Sequence, residues 1–348
     1  MVAFGVERDA RSRVLASIGA TGLGAMPGDD ALETARIVVG ESPDLPFLVE
    51  LPQRGPWAAP DGRSTAFLAE LHVDLQPAGW RLVPRPGMDE RRRDSLLARD
   101  LDAIEEAVAV RTGPVKVQLM GPWSLAAVLE LPRAGRVLGD AGAVRDLCAA
   151  LAEGANRHVS EVRRRTGCDV VVQVDEPMLS VVLEGGVATA SGLGRIAAVP
   201  SNQARDALIE LVDAVLGAGG IPVAALPSAT GLVELARSAG FEGIAIDLGR
   251  IDRSDDETFG AALESGMQLL AGVVEPGSPE DVDPRTVLRP LQDLWHRLGL
   301  ESQLAPPLVV ITPRTGLANC SPDQAKAALT VAHRTGAWLH SEPEEWVR

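Results

Sequence analysis

The feature that most limits what this chain can fold into is a repeated alternation. Short β-forming runs are followed by longer stretches rich in Ala, Leu, Glu and Arg. Eight such runs occur: "ATGLGAMP" (20–27), "WRLVP" (80–84), "VKVQLMGP" (115–122), "DVVVQVDEP" (169–177), "IPVAALP" (221–227), "GIAIDL" (243–248), "MQLLAGVVEP" (267–276) and "PLVVITP" (307–313). Most are continuously apolar, the pattern of strands buried on both faces of a parallel sheet. The spacers carry apolar residues three and four apart. One of them, residues 143–165, has acidic Asp146 and Glu153 early and a basic cluster at its end, as the helix dipole favours. Pro322-Asp323 reads as a helix start. Eight βα units in 348 residues predict an α/β fold: a single (β/α)8 TIM-type barrel over residues 1–348. Two insertions are expected in it. One is Pro-rich and follows the first helix (about 43–80); the other is a small hairpin after strand four (about 180–200).

Charge and composition exclude some classes. A net charge of −15 argues against nucleic acid and anionic membrane as partners. No apolar run approaches the roughly 18–20 residues of a membrane helix. The first residues, "MVAFGVERDARSRV", lack a positive-then-apolar signal pattern. Cys148, Cys168 and Cys320 are odd in number and widely spaced, so no disulfide framework is implied, and a reducing cytoplasm is expected.

A barrel places its site at the C-terminal ends of the strands. Those ends deliver Gly24–Pro27, Arg85, Gln118 with Gly121–Ser124, Gln173 with Asp175 and Glu176, Ala225–Ser228, Asp247, Glu275 and Thr312–Gly316. "VQVDEP" (172–177) is the most pointed of them. Buried carboxylates need partners, so Asp175 and Glu176 either pair with Arg or bind a cationic group such as an amine. Side chains alternate along a strand, so only one of the two can face the barrel mouth. At "GPWS" (121–124) a strand turns into a helix whose first amides and Ser124 hydroxyl can meet an anion or polar ligand. "GATGLGAMPG" (19–28) is not a dinucleotide fingerprint, because Pro27 stands where the third glycine belongs. The histidines (72, 158, 296, 333, 340) all fall in stretches read as helical or terminal, so neither a zinc cluster nor a Ser-His-Asp set can be assembled from strand ends. Asp175, Glu176, Asp247 and Glu275 could bind magnesium through waters, but nothing specific demands it.

Taken in order, "TGLGAMPG", "KVQLMGPWSLA", "VQVDEP" and "TPRTGL" resemble the cobalamin-independent methionine synthases, in their catalytic barrel and its short stand-alone bacterial forms. The resemblance implies a (β/α)8 barrel and methyl transfer from a folate-type or other methyl donor to the thiol of homocysteine. It also implies a zinc ion holding that thiol. By the resemblance, Asp175 contacts the ligand's amino group; Glu176, Gln118, Trp123 and Ser124, delivered at the same strand ends, are expected in the substrate site with it. The zinc-ligand positions fall on Ala225, Pro227, Asp247 and Thr315, of which only Asp247 is a metal ligand type. Zinc is expected for the family, yet its ligands are absent here. Two functions are therefore expected side by side: a homocysteine S-methyltransferase with a degenerate metal site, and a catalytically inactive or repurposed barrel that binds a small amino-acid-like ligand or a partner protein. A decarboxylase-type barrel with an Arg-lined mouth, using Arg85 and Arg314, is a third.

Overall fold

A computed structural model describes residues 10–133 and 135–346. The reading of the extreme N-terminus falls largely on residues 1–9, outside the described residues. The main sheet is parallel and curled, with six regular strands in sequence order: β3 (Val115–Met120), β4 (Val170–Asp175), β5 (Gly220–Ala225), β6 (Gly243–Asp247), β7 (Gln268–Val274) and β8 (Val309–Pro313). A separate antiparallel hairpin, β1 (His72–Gln76) and β2 (Gly79–Val83), precedes it. The main helices are α1 (Ala31–Glu41), α2 (Met88–Val108), α3 (Pro122–Val128), α4 (Ala141–Thr166), α5 (Ser201–Gly217), α6 (Leu232–Ser238), α7 (Asp256–Glu264), α8 (Pro284–Leu298) and α9 (Pro322–Ser341).

The expectation of eight regular strands is corrected in two places. "WRLVP" is not a strand of the parallel sheet. Trp80 is buried while its neighbours are half-buried, so the run covers one face only and pairs with 72–76 across a tight turn. His72, read as helical, opens that hairpin. Nearer the sheet, residues 46–50 lie within the stretch read as an irregular insertion. Phe47 bridges Lys116 on β3, Glu50 bridges Ala25, and Ala20 bridges Ile311 on β8, all in parallel sense. Two short extended segments thus stand between the edges of the six-stranded sheet, each held by single bridges. In the first of them, Gly24 has a φ of +115°, which breaks the extended geometry between the Ala20 and Ala25 bridges, and a side chain there would run into Gln118.

The helical expectations hold where caps are strong. Asp140 accepts from the amides of Gly142 and Ala143 to start α4, and left-handed Gly167 ends it after Arg163–Arg165. Ser321 and Gln324 form a capping box at the start of α9. After β4, a small hairpin is held by one antiparallel bridge, Ala188 to Arg195.

Burial divides the interior in two. One core lies between sheet and helices. A second, inside the curl, is built from Leu15, Ile18, Leu45, Val171, Ile221, Val223, Ala245, Leu270 and Val310. Above that apolar plug, the inward positions of β3 and β4 turn polar: Lys116, Gln118, Gln173 and Asp175.

Candidate functional site

The C-terminal edge of the sheet carries two charged groups that differ in kind. The first is centred on Asp175, the last residue of β4, half-buried and aligned with Ala225 on β5. Its Oδ1 accepts from Gln173 Nε2 at 2.7 Å, and Gln173 Oε1 in turn accepts from Lys116 Nζ at 2.7 Å. The bridging amide is fixed by a second bond, from Nε2 to the Leu23 carbonyl at 3.1 Å. Burial raises the pKa of Asp175, against the Gln173 hydrogen bond and the Lys116 charge. Burial lowers that of Lys116, against the charges of Asp175 and Glu50. The second Asp175 oxygen has no protein hydrogen bond among the described residues.

Glu176 points the other way. Its carboxylate accepts from the amides of Trp123 at 3.0 Å and Ser124 at 2.8 Å, and from the Ser124 hydroxyl at 2.6 Å. The helix N-terminus at "GPWS" is therefore already occupied by a carboxyl group, and it is the protein's own. Gly121 has no Cβ because the Glu176 carboxylate fills that space. Ser124 Oγ also accepts from the Met178 amide at 3.1 Å, and the Trp123 indole donates to the Ala204 carbonyl at 3.0 Å. Burial pushes Glu176 up to about 7, while its three donors favour the ionised form. Glu176, Trp123 and Ser124, read as substrate contacts, bond to one another or to neighbouring backbone. Gln118 is buried; its Nε2 donates to the Leu48 carbonyl, and its Oε1 is unpartnered among the described residues.

The second charged group lies across the mouth. Asp247, ending β6, accepts from Arg314 Nε at 2.8 Å and Nη2 at 3.3 Å and from the Gly249 amide at 3.0 Å. Arg314 also donates to Glu275, and Arg250 approaches Asp247 at 3.7 Å. All four zinc-position residues, Ala225, Pro227, Asp247 and Thr315, line one cavity of about 170 Å³ together with Leu23, Gly272, Thr312 and Arg314. The sequence reading thus named positions that the fold brings together. Their donor set does not fit zinc. Asp247 is the only ligand type among the four, a forked guanidinium occupies both of its oxygens, and no group of three His, Cys, Asp or Glu able to hold a metal exists among the described residues. Cys320 does not line the cavity. Arg85 is exposed after β2 and does not line it either, so the pair of arginines proposed for a decarboxylase-type mouth does not converge there.

Three residues of this region escaped the sequence reading as site residues. Lys116 is a charge inside the continuous run "VKVQLM", and Glu50 ends the apolar run "PFLVE". Each is a buried-charge signal. Arg250 carries no such signal, because it lies in the exposed last position of a short 3-10 helix after β6.

No family model matches the chain, and no curated protein does. Among solved structures, it is similar to a B12-independent methionine synthase from Shewanella sp. W3-18-1 (TM-score 0.46, 12% identity, 70% of this chain and 67% of that one). It is also similar to a 2,3-dimethylmalate lyase of the PEP mutase/isocitrate lyase superfamily (TM-score 0.38, 13% identity, 97% and 85%). A third is Xylanase10C from Cellvibrio japonicus (TM-score 0.31, 10% identity, 69% and 56%).

Proposed function

We propose that this chain is a methionine-synthase-like (β/α)8 barrel, with the segments around 20–25 and 46–50 as its first two strands, that binds a small amino-acid-like ligand without a metal. Asp175 takes the ligand's ammonium through its free oxygen. One observation carries the reading. A half-buried carboxylate with an open oxygen stands at the strand ends, beside a cavity whose metal positions have become Ala225, Pro227, Thr315 and an Asp247 held by Arg314. Arg314 supplies the positive charge opposite the half-buried Asp247, so that carboxylate is paired without an ion.

Size narrows the ligand. Asp175 does not itself line the cavity of about 170 Å³ but is aligned with Ala225, which does; a space that small beside the carboxylate, below the ~300–1,000 Å³ typical of drug-sized ligands, is in keeping with a homocysteine-sized molecule rather than a folate. Methyl transfer to the homocysteine thiol is the finer alternative. It would lack the charge that converts thiol to thiolate, since a free thiol near pKa ~8.5 is mostly protonated at neutral pH.

Calorimetry with L-homocysteine on the wild type and on Asp175→Ala tests the assignment. Loss of a charge-assisted hydrogen bond of about 1.5–3 kcal/mol predicts a Kd roughly 10- to 100-fold weaker in the variant. Equal affinity would remove Asp175 from the site.

A further inference from the structure

Behind Asp175 lies a largely buried cluster whose formal charges balance when every member is ionised. Lys116, Arg63 and Arg54 supply three positive charges; Asp175, Glu50 and Asp100 supply three negative ones. Lys116 reaches Asp175 through Gln173, by two bonds of 2.7 Å. Glu50 sits on the segment that bridges β3 at Lys116, with Arg63 Nε 3.8 Å from its Oε1. Asp100 pairs with Arg63 and Arg54. Lys116, Glu50, Arg63 and Asp100 are all buried.

An ammonium arriving at Asp175 adds a fourth positive charge to this cluster. A buried excess charge is costly, so the cluster must shed one. Arginine does not deprotonate in proteins. The proton therefore has to come from the remaining titratable members. We propose that Lys116, with Glu50 beside it, makes the Asp175 site a cation-for-proton exchanger: the ligand ammonium takes over Asp175, and the Lys116–Glu50 pair releases one proton to solvent. Written out, ligand-NH3+ plus the Lys116-NH3+/Asp175 pairing gives ligand-NH3+/Asp175 plus Lys116-NH2 and H+. This rests on the amino-acid reading above and adds a rule of selection to it, because a ligand of the same shape with no ammonium to place on Asp175 releases no proton. The titration directions agree. Burial lowers Lys116 and raises Glu50 to about 7, with Arg63 and Lys116 opposing the rise and Asp175 and Asp100 adding to it.

The experiment is calorimetry with L-homocysteine at pH 7 in two buffers of different ionisation enthalpy, phosphate and Tris. The wild type is expected to release about one proton per ligand bound, read as a buffer-dependent enthalpy. In Glu50→Gln the cluster of the free protein carries an excess positive charge, so Lys116 is already neutral, and the release is expected to fall below about half the wild-type value. Binding with equal heats in both buffers, or a release unchanged in E50Q, would overturn the exchange and leave the amino-acid site standing. No binding by the wild type in either buffer would overturn both.

Discussion

Replacing Asp100 by Ala is expected to lower the free energy of unfolding by about 3–5 kcal/mol, read from urea denaturation. Asp100 is fully buried on α2 and pairs with two guanidiniums, Arg63 at its Oδ2 and Arg54 at 2.7 Å from its Oδ1. Arg63 has no hydrogen bond at Nε or Nη2, so Asp100 is its main support. Without the carboxylate, among the described residues the Arg63 guanidinium has only Glu50 nearby and the Arg54 guanidinium has no other ion-pair partner. Asp100→Asn keeps an acceptor and should cost less. Equal, small losses in both variants would show that water reaches the cluster. The effect bears on the site, because Asp100 and Arg63 set the field around Glu50.

The second large effect is expected at Glu176. Glu176→Leu strands three donors at once: the amides of Trp123 and Ser124 and the Ser124 hydroxyl. At about 1–3 kcal/mol for each buried group left unsatisfied, a loss of at least about 3 kcal/mol is expected by the same denaturation measurement. Glu176→Gln keeps one good acceptor oxygen and falls between. A pH profile gives the sign independently. Burial raises Glu176 from 4.5 to about 7, so by this group the folded state gains least when the carboxylate is ionised. Its contribution is fully present below the unfolded pKa and is lost as pH rises through about 7, and the Glu176→Gln variant should lack that decline. A wild-type profile identical to that of Glu176→Gln between pH 4 and 8 would contradict it.

Six strands were legible because their runs are continuous and rich in Val, Ile and Leu, which only a two-sided burial explains. Of the two short segments between the sheet's edges, the one at 20–27 was expected as a full strand but is held by single bridges, and the one at 46–50 was missed. Residues 20–25 are small and glycine-containing, and "PFLVE" is hidden between prolines. "WRLVP" drew attention away because it has strand composition. The sign of its true nature is the Pro77-Ala78-Gly79 turn, with a short polar-alternating partner on its other side. At the site, alternation along β4 correctly separates the directions of Asp175 and Glu176. What each meets lies far off in sequence: Ser124 is 52 residues from Glu176, and Arg314 is 67 from Asp247. Pairings of that range follow from the curl of the sheet, which no local pattern carries.

The arginine in "TPRTGL" now has a physical role. It lies next to Thr315, one of the positions where the resemblance implies a zinc ligand, and its guanidinium closes on Asp247 and Glu275. Asp247 is thus charge-paired by the protein itself, while Asp175 keeps one oxygen open. The measurement that tests this most directly is L-homocysteine binding by the wild type after exhaustive chelation and again after zinc is resupplied, with zinc per chain determined in parallel. The account predicts the same Kd in both states and no zinc retained after dialysis. About one tightly held zinc per chain, with binding lost on chelation and restored with the metal, would contradict it.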